Sequence, residues 1–199
     1  MVASLAAFAA VTAVASGQGA PPLATFAAQK LAVMPVQFLR ADSTTPVHAA
    51  DWAALRRQLD DSIGTALSER GLGRTWSYAT DVERVAKRNA IYTSDPYALG
   101  AGPLRGRALK AEEPLAPVLA NNLRPIVALT DTRYAVIPVE LRFEGRGAET
   151  RAFLRVVVVD ARLSRVTWSG DLAVPTGASF GAEQVGAVAQ RVADLVIAR

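Results

Sequence analysis

The chain has 199 residues, of which 51% are apolar and 20% are charged, so it can bury a substantial core and does not have the composition of a disordered protein. It contains no Cys and a single His, which excludes disulfides, thiol chemistry and metal sites built from several Cys or His ligands. The net charge of +4 arises from basic residues scattered among 18 acidic ones. A nucleic-acid groove needs clustered cations with aromatic residues between them, so we expect no nucleic-acid partner.

The amino-terminal segment has no charged side chain before Lys30. Residues 1–15 form an apolar, Ala-rich run that ends in Ala-Val-Ala, the small-x-small pattern that precedes signal-peptidase cleavage. This run predicts an export signal, with an uncleaved membrane anchor as the alternative. Residues 16–29, which include Ser-Gly-Gln-Gly-Ala-Pro-Pro, predict a flexible linker, and residues 30–199 predict one domain on the periplasmic side of the membrane.

The domain begins with a strand and a helix. Lys30–Leu39 is apolar enough for a central strand, with Pro35 marking a bulge or an edge position. Residues 51–70 carry apolar side chains at spacings of three and four, which predicts an amphipathic helix. We expect Arg56 and Asp60, four residues apart, to pair on the exposed face of this helix.

Shorter elements follow in the middle of the chain. Residues 74–79 predict a second strand, and Thr80-Asp-Val-Glu predicts a capping box at the start of a helix that ends near Asn89. Residues 99–110 are rich in Gly, Pro and Arg and predict a surface loop. A helix is predicted over residues 112–123, with Pro125 ending it or opening the next turn.

Three strand-like runs separated by turn residues come next: Tyr134–Glu144, Thr150–Asp160 and Ser164–Pro175. They predict an antiparallel meander, and the almost wholly apolar middle run predicts a strand that is covered on both faces. A final helix is predicted over residues 182–198. The order β-α-β-α-α-β-β-β-α predicts an α+β fold in which helices pack on a mixed sheet that ends in this meander.

Three segments resemble a known family: Lys30-Leu-Ala-Val-Met-Pro-Val, Asp131-Thr-Arg-Tyr-Ala-Val-Ile-Pro-Val, and Phe153-Leu-Arg-Val-Val-Val-Val-Asp-Ala-Arg-Leu-Ser-Arg-Val-Thr-Trp-Ser. They are similar to the small periplasmic α/β domain shared by the amino-terminal domain of TolB, the curli secretion protein CsgG and the penicillin-binding-protein activator LpoB. The resemblance implies a domain that binds or scaffolds other envelope proteins. The acylated Cys of the family's lipoproteins is absent here.

The candidate contact residues lie in the irregular segment between Ile91 and Lys110. They are Tyr92, Tyr97, Arg105, Arg107 and Lys110. Tyrosines outside regular elements are typical of contact patches, and the basic cluster suits an acidic partner or anionic lipid. We therefore expect a non-enzymatic binding or accessory subunit of an envelope complex, with no cofactor or metal and with peripheral membrane association. A sheet edge that accepts a partner strand is a second candidate surface.

Two alternatives depend on other residues. Gly177-Ala-Ser-Phe-Gly matches the G-x-S-x-G pattern of serine hydrolases, but no His follows Ser179 and the single His, His48, lies far upstream. A Gly-rich turn in which Ser179 or Thr176 caps the last helix explains the same residues. The other alternative is a small-molecule or glycan-binding domain with a pocket beneath the loop at Gly100.

Overall fold

The computed structural model describes residues 20–40, 51–176 and 179–198. Within these ranges the chain forms six strands and four α-helices in the predicted order, with the first strand divided in two. In chain order they are β1 (Leu31–Val33), β2 (Phe38–Leu39), α1 (Trp52–Glu69), β3 (Trp76–Ser77), α2 (Ala79–Arg88), α3 (Pro117–Leu129), β4 (Tyr134–Glu144), β5 (Arg151–Asp160), β6 (Arg165–Pro175) and α4 (Ala182–Asp194).

The strands form one mixed sheet in the order β3-β1-β4-β5-β6, with β2 pairing farther along β4. The short strands β1, β2 and β3 run parallel to their neighbours, whereas β4, β5 and β6 form the antiparallel meander. The predicted α+β fold with a carboxyl-terminal meander is therefore confirmed.

The predicted first strand is interrupted at Pro35. Val33 pairs with Val136 and Phe38 pairs with Glu140. The segment from Val33 to Phe38 is therefore one residue longer than the segment of β4, from Val136 to Glu140, that lies beside it. Proline has no N–H to donate to a ladder, and the extra residue lets the chain leave and rejoin the sheet.

Helices pack on both faces of the sheet. On one face, α1 and α4 bury side chains against alternate positions of β4, β5 and β6. On the other face, α3 and the segment before it cover the intervening positions, of which Val157 and Val159 of β5 are two. Residues 154–159 of β5 are all buried, which confirms the prediction of a strand covered on both faces.

The second face changes character halfway along the meander. A β-bulge in β4 falls between Pro138 and Glu140, and beyond it Glu140 lies opposite Arg155 of β5. Arg155 lies two residues before Val157, so it shares that valine's face but lies beyond the apolar cluster of α3. This half of the face therefore carries charged side chains, among them Glu140 and Arg155, and we call it the charged half of the meander.

Helix α3 begins later than predicted. The sequence predicts a helix over residues 112–123, but the backbone N–H groups of Glu112 and Leu115 donate to the carbonyls of Val166 and Ser164, at 2.8 and 2.9 Å. This pairing places the segment beside β6. Pro117 is the first residue of the helix, where a backbone N–H has no acceptor within the helix, so proline costs no hydrogen bond there. Pro125, predicted to end the helix or to open the next turn, lies inside it.

The start of α2 also differs from the prediction. Its N-cap is Tyr78 rather than Thr80, because Tyr78 has an extended backbone and its N–H donates to the carboxylate of Asp81 at 3.3 Å. Glu83, predicted to complete the capping box, instead pairs with Lys87 at 2.7 Å.

Residues 20–29, predicted as part of a linker, pack against the domain. Leu23 is 1% exposed, and its N–H donates to the carbonyl of Leu195 at 2.8 Å. The ring of Phe26 meets Tyr134 edge to face at 5.0 Å. The predicted signal of residues 1–15 lies outside the described ranges, in which no helix has the length and apolar character required to cross a membrane.

Candidate binding site

The loop at Gly100 is anchored on the core by its own apolar side chains. Leu99, Ala101 and Leu104 are buried in the core cluster of α3, although the sequence predicts a surface loop here. Gly100 has a φ of +80°, and a Cβ added there would lie 2.9 Å from Cγ1 of Val118. The space where the sequence suggested a ligand pocket is therefore occupied by apolar groups and closely packed.

Arg105, a predicted partner contact, is engaged within the fold. Its guanidinium pairs with Glu140, whose side chain is 2% exposed, and lies 4.6 Å from the ring centre of Phe38. A buried carboxylate requires such a partner, because removing a charge from water without compensation is strongly unfavourable. This arginine therefore supports the charged half of the meander.

Arg107 and Lys110 lie beside the same half of the meander. Arg107 pairs with Glu113, and its backbone carbonyl accepts a hydrogen bond from Arg155. The backbone N–H of Lys110 donates to the other oxygen of Glu113 at 3.2 Å. An adjoining polar cavity of about 490 Å³ is lined by Arg40, Gly106, Arg107, Ala108, Glu140, Arg142, Glu144, Arg155 and Asp171.

The acids of this cavity are already engaged by arginines. Arg142 pairs with Glu144 at 2.8 Å and with Asp171 at 3.2 Å. Arg155 lies 3.6 Å from Asp171. The cavity is therefore an internally paired network that holds the loop onto the sheet.

Tyr97 occupies a different place, against α1. Its hydroxyl donates to Oδ2 of Asp60 at 3.0 Å, and the guanidinium of Arg56 lies 4.5 Å from its ring centre. The other carboxylate oxygen of Asp60 accepts the N–H of Val36 at 2.8 Å. Two hydrogen bonds from different parts of the chain therefore converge on one buried acid.

Burial raises the pKa of Asp60 to about 7, although the hydrogen bonds from Val36 and Tyr97 and the charge of Arg56 act in the opposite direction. Burial, followed by the neighbouring Asp60, also raises the pKa of Tyr97. The prediction that Asp60 pairs with Arg56 on the exposed face is wrong, since Asp60 is 5% exposed. Its partners Val36 and Tyr97 come from distant segments, so no local pattern in the sequence indicates this burial.

The segment that carries Tyr97 is held by Gln37. The side-chain amide of Gln37 donates to the carbonyls of Pro35 and Pro96, at 2.7 and 2.9 Å, and its oxygen accepts the N–H of Leu99 at 3.1 Å. The interruption between β1 and β2 therefore positions a buried amide that fixes the 95–99 segment.

A cleft of about 480 Å³ opens between α1, α2 and the segment from Thr93 to Tyr97; we call it the α1–α2 cleft. Its volume is within the range of pockets that hold small ligands or short peptide segments. Its apolar lining residues are three alanines, Pro96 and Tyr97. Its full lining is Ala53, Arg56, Arg57, Glu83, Ala86, Lys87, Ala90, Thr93, Ser94, Asp95, Pro96 and Tyr97.

Two large apolar side chains project beside this cleft. Ile91 is 92% exposed and Tyr92 is 74% exposed; we call them the Ile91–Tyr92 tip. The turn that carries them is well fixed: the N–H of Tyr92 donates to the carbonyl of Asn89 at 2.8 Å, and the hydroxyl of Thr93 donates to the carbonyl of Ala86 at 3.1 Å.

The predicted contact residues thus fall into two groups. Tyr92 and Tyr97 lie at the tip and in the α1–α2 cleft, whereas Arg105, Arg107 and Lys110 lie beside the charged half of the meander. No hydrogen bond or ion pair between described residues joins the two groups. Asp60, Gln37 and the cations of α1 and α2 belong to these two places as well, although no sequence pattern predicted them there.

Ser179 is exposed and precedes α4. The N-cap of this helix is Gly181 rather than the predicted Ser179 or Thr176, and the N–H of Gly181 donates to the side chain of Gln184 at 3.0 Å. His48, the only His, lies outside the described residues. In the described ranges no group of three or more His, Asp or Glu side chains is placed to hold a metal ion.

Solved structures with a similar fold include two PelC dodecamers from Paraburkholderia phytofirmans and the LpoB C-terminal domain from Salmonella enterica. One PelC chain is 13% identical, with 92% of this chain and 96% of that chain covered and a TM-score of 0.42. The other is 12% identical, with 88% and 94% covered and a TM-score of 0.39. The LpoB domain is 13% identical, with 81% and 87% covered and a TM-score of 0.34.

No protein-family model matches this chain, and no curated protein sequence matches it. LpoB is one of the three proteins whose motifs the sequence resembles. The similarity to these structures is one of fold, so residue roles, partners and assembly states are not transferred from them.

Proposed function

We propose that this chain is an exported, non-enzymatic accessory subunit that binds other proteins of the bacterial cell envelope through the Ile91–Tyr92 tip. The observation that carries the proposal is the exposure of these two side chains on a turn fixed by hydrogen bonds. The apolar run of residues 1–15 and the motif resemblance to periplasmic envelope domains support export.

A fixed apolar tip is suited to binding for two reasons. Covering Ile91 and Tyr92 removes apolar surface from water, which is favourable. Because the backbone of the turn is already ordered, association loses less conformational entropy than it would with a mobile loop. Tyrosine is also enriched among the residues that contribute most to binding energy in protein interfaces.

Site-specific photo-crosslinking in the native host tests this proposal. A benzophenone side chain at position 92 should give discrete protein adducts in intact cells, because the tip lies in the interface. The matched control is the same probe at Leu163, which is 57% exposed in the turn between β5 and β6 and should give none of these adducts.

Absence of adducts at position 92, or the same adducts at both positions, would overturn the proposed contact surface. Cell fractionation with amino-terminal sequencing of the mature chain tests export in the same cells. An uncleaved chain in the cytoplasm would contradict that part of the proposal.

A further inference from the structure

We infer that the α1–α2 cleft receives a short acidic peptide segment of the partner, with an apolar side chain next to its carboxylate. This inference rests on the proposed function and adds the chemistry of the partner. It is carried by the charge around the cleft, by its apolar walls and by its position beside the Ile91–Tyr92 tip.

Cations outnumber acids in the lining, and the acids are already engaged. Glu83 pairs with Lys87 at 2.7 Å, and the carboxylate of Asp95 accepts the N–H of Tyr97 at 2.9 Å. Arg57 is exposed and has no ion-pair partner among the described residues. Because Glu83 pairs with Lys87, a carboxylate entering the cleft meets chiefly the guanidinium groups of Arg56 and Arg57, with which no acid of the lining forms an ion pair.

The shape of the cleft favours a peptide over a membrane surface. A bilayer would contact the projecting tip but would not fill a cleft of about 480 Å³. The walls offer the exposed methyl groups of Ala53 and Ala90 and the half-buried ring of Tyr97, which suit an apolar side chain. Acidic and apolar groups in one short segment match both features.

Contacts within the fold fix the wall of the cleft that is formed by the segment from Thr93 to Tyr97. Arg56 stacks on Tyr97, whose hydroxyl is fixed by the buried Asp60, and Gln37 holds the carbonyl of Pro96. A preformed site of this kind requires little rearrangement on binding, so most of the contact energy contributes to affinity.

The test uses the full-length protein in its native host with a photo-reactive side chain at Ala90, which lines the cleft, and a second one at position 92. The charge-reversal variant Arg57→Glu/Lys87→Glu should reduce the adduct at position 90 at least about tenfold, because the acidic segment is then repelled. Arg146→Glu/Arg151→Glu makes the same change in net charge on exposed residues at the turn between β4 and β5 and should leave the adduct unchanged.

Competition with purified protein and partner extract identifies the chemistry. A capped peptide of alternating Asp and Leu should suppress the adduct at position 90, and a peptide of alternating Ser and Leu should not. Equal adducts in the charge-reversal variant, or equal competition by both peptides, would overturn the inference. If adducts at position 92 persist in that case, the proposed function stands; if no adduct forms at either position, both fail.

Vesicles of phosphatidylglycerol provide the remaining comparison. Co-sedimentation that depends on Arg57 and Lys87, without protein adducts at position 90, would assign the cleft region to an anionic membrane and overturn the peptide inference.

Discussion

Asp60 shows how a single residue connects the core to the candidate site. It lies on a helix whose apolar stripe is evident from the sequence, yet its neighbours are Val36 and Tyr97, which come from distant segments. Periodicity indicates which face of α1 is apolar, but it does not indicate which polar group the rest of the fold will cover. The contacts with Val36 and with Tyr97 of the 95–99 segment bury Asp60.

Substitution of Asp60 tests this arrangement through pH. The pKa of Asp60 is raised from 3.8 to about 7, so between these values the folded state binds a proton that the unfolded state does not. The free energy of unfolding should therefore fall as pH rises from about 4 to about 7. Asp60→Asn should remove this pH-dependent contribution, on the order of 4 kcal/mol across the range, as measured by urea denaturation.

Asp60→Ala serves as the matched comparison. Asn can still accept from Val36 and bond Tyr97, whereas Ala leaves a buried N–H without an acceptor, so it should be about 1–3 kcal/mol less stable than the Asn variant. Identical pH profiles for wild type and Asp60→Asn would contradict the burial of a titrating carboxylate.

At the scale of elements, local patterns predicted most of the strands and helices but not the contacts between them. The meander follows from alternating apolar runs and the turns between them, and α1 follows from its apolar stripe. The α3 prediction is wrong at its start because residues 112–115 pair with β6, a contact distant in sequence. The 99–110 segment was predicted as a surface loop because Gly, Pro and Arg dominate it, yet three apolar side chains anchor it.

The pairing of this loop with the meander gives an element-scale prediction. Arg105→Ala should lower the free energy of unfolding by about 2–3 kcal/mol, because Glu140 is left buried without its cation. Arg107→Ala should cost much less than Arg105→Ala, since the Arg107–Glu113 pair is more exposed and is screened by solvent. Chemical denaturation measures both.

The loss from Arg105→Ala should shrink in a Glu140→Gln background, because the charge that needs compensation is gone. Equal losses for Arg105→Ala and Arg107→Ala would show that Arg105 is only a surface residue, as the sequence suggested.

At the scale of the whole molecule, the domain extends farther toward the amino terminus than the sequence predicts. The Pro-Pro and Gly-containing segment predicted a linker, but Leu23 is inserted beside α4 and Phe26 packs on Tyr134. The apolar residues of this segment are too few to show a helical or strand period in the sequence. Only their contacts with the end of α4 and with Tyr134 identify Leu23 and Phe26 as part of the packed domain.

Leu23→Ala tests whether this segment belongs to the domain. It should lower the free energy of unfolding by about 2–5 kcal/mol, the range for truncating a buried leucine to alanine. Leu163→Ala, on an exposed turn, should change it by less than about 0.5 kcal/mol. A Leu23→Ala variant as stable as Leu163→Ala would place residues 20–29 outside the folded unit.

The central claim is that the Ile91–Tyr92 tip binds a partner, and the affinity of the crosslinked partner tests it most directly. The dissociation constant should be measured with purified proteins for wild type, Ile91→Ser/Tyr92→Ser and the control Leu163→Ser. The account predicts that the double substitution weakens binding at least about tenfold, a loss of about 1.4 kcal/mol, while the control is unchanged. Equal affinity of all three proteins would contradict it.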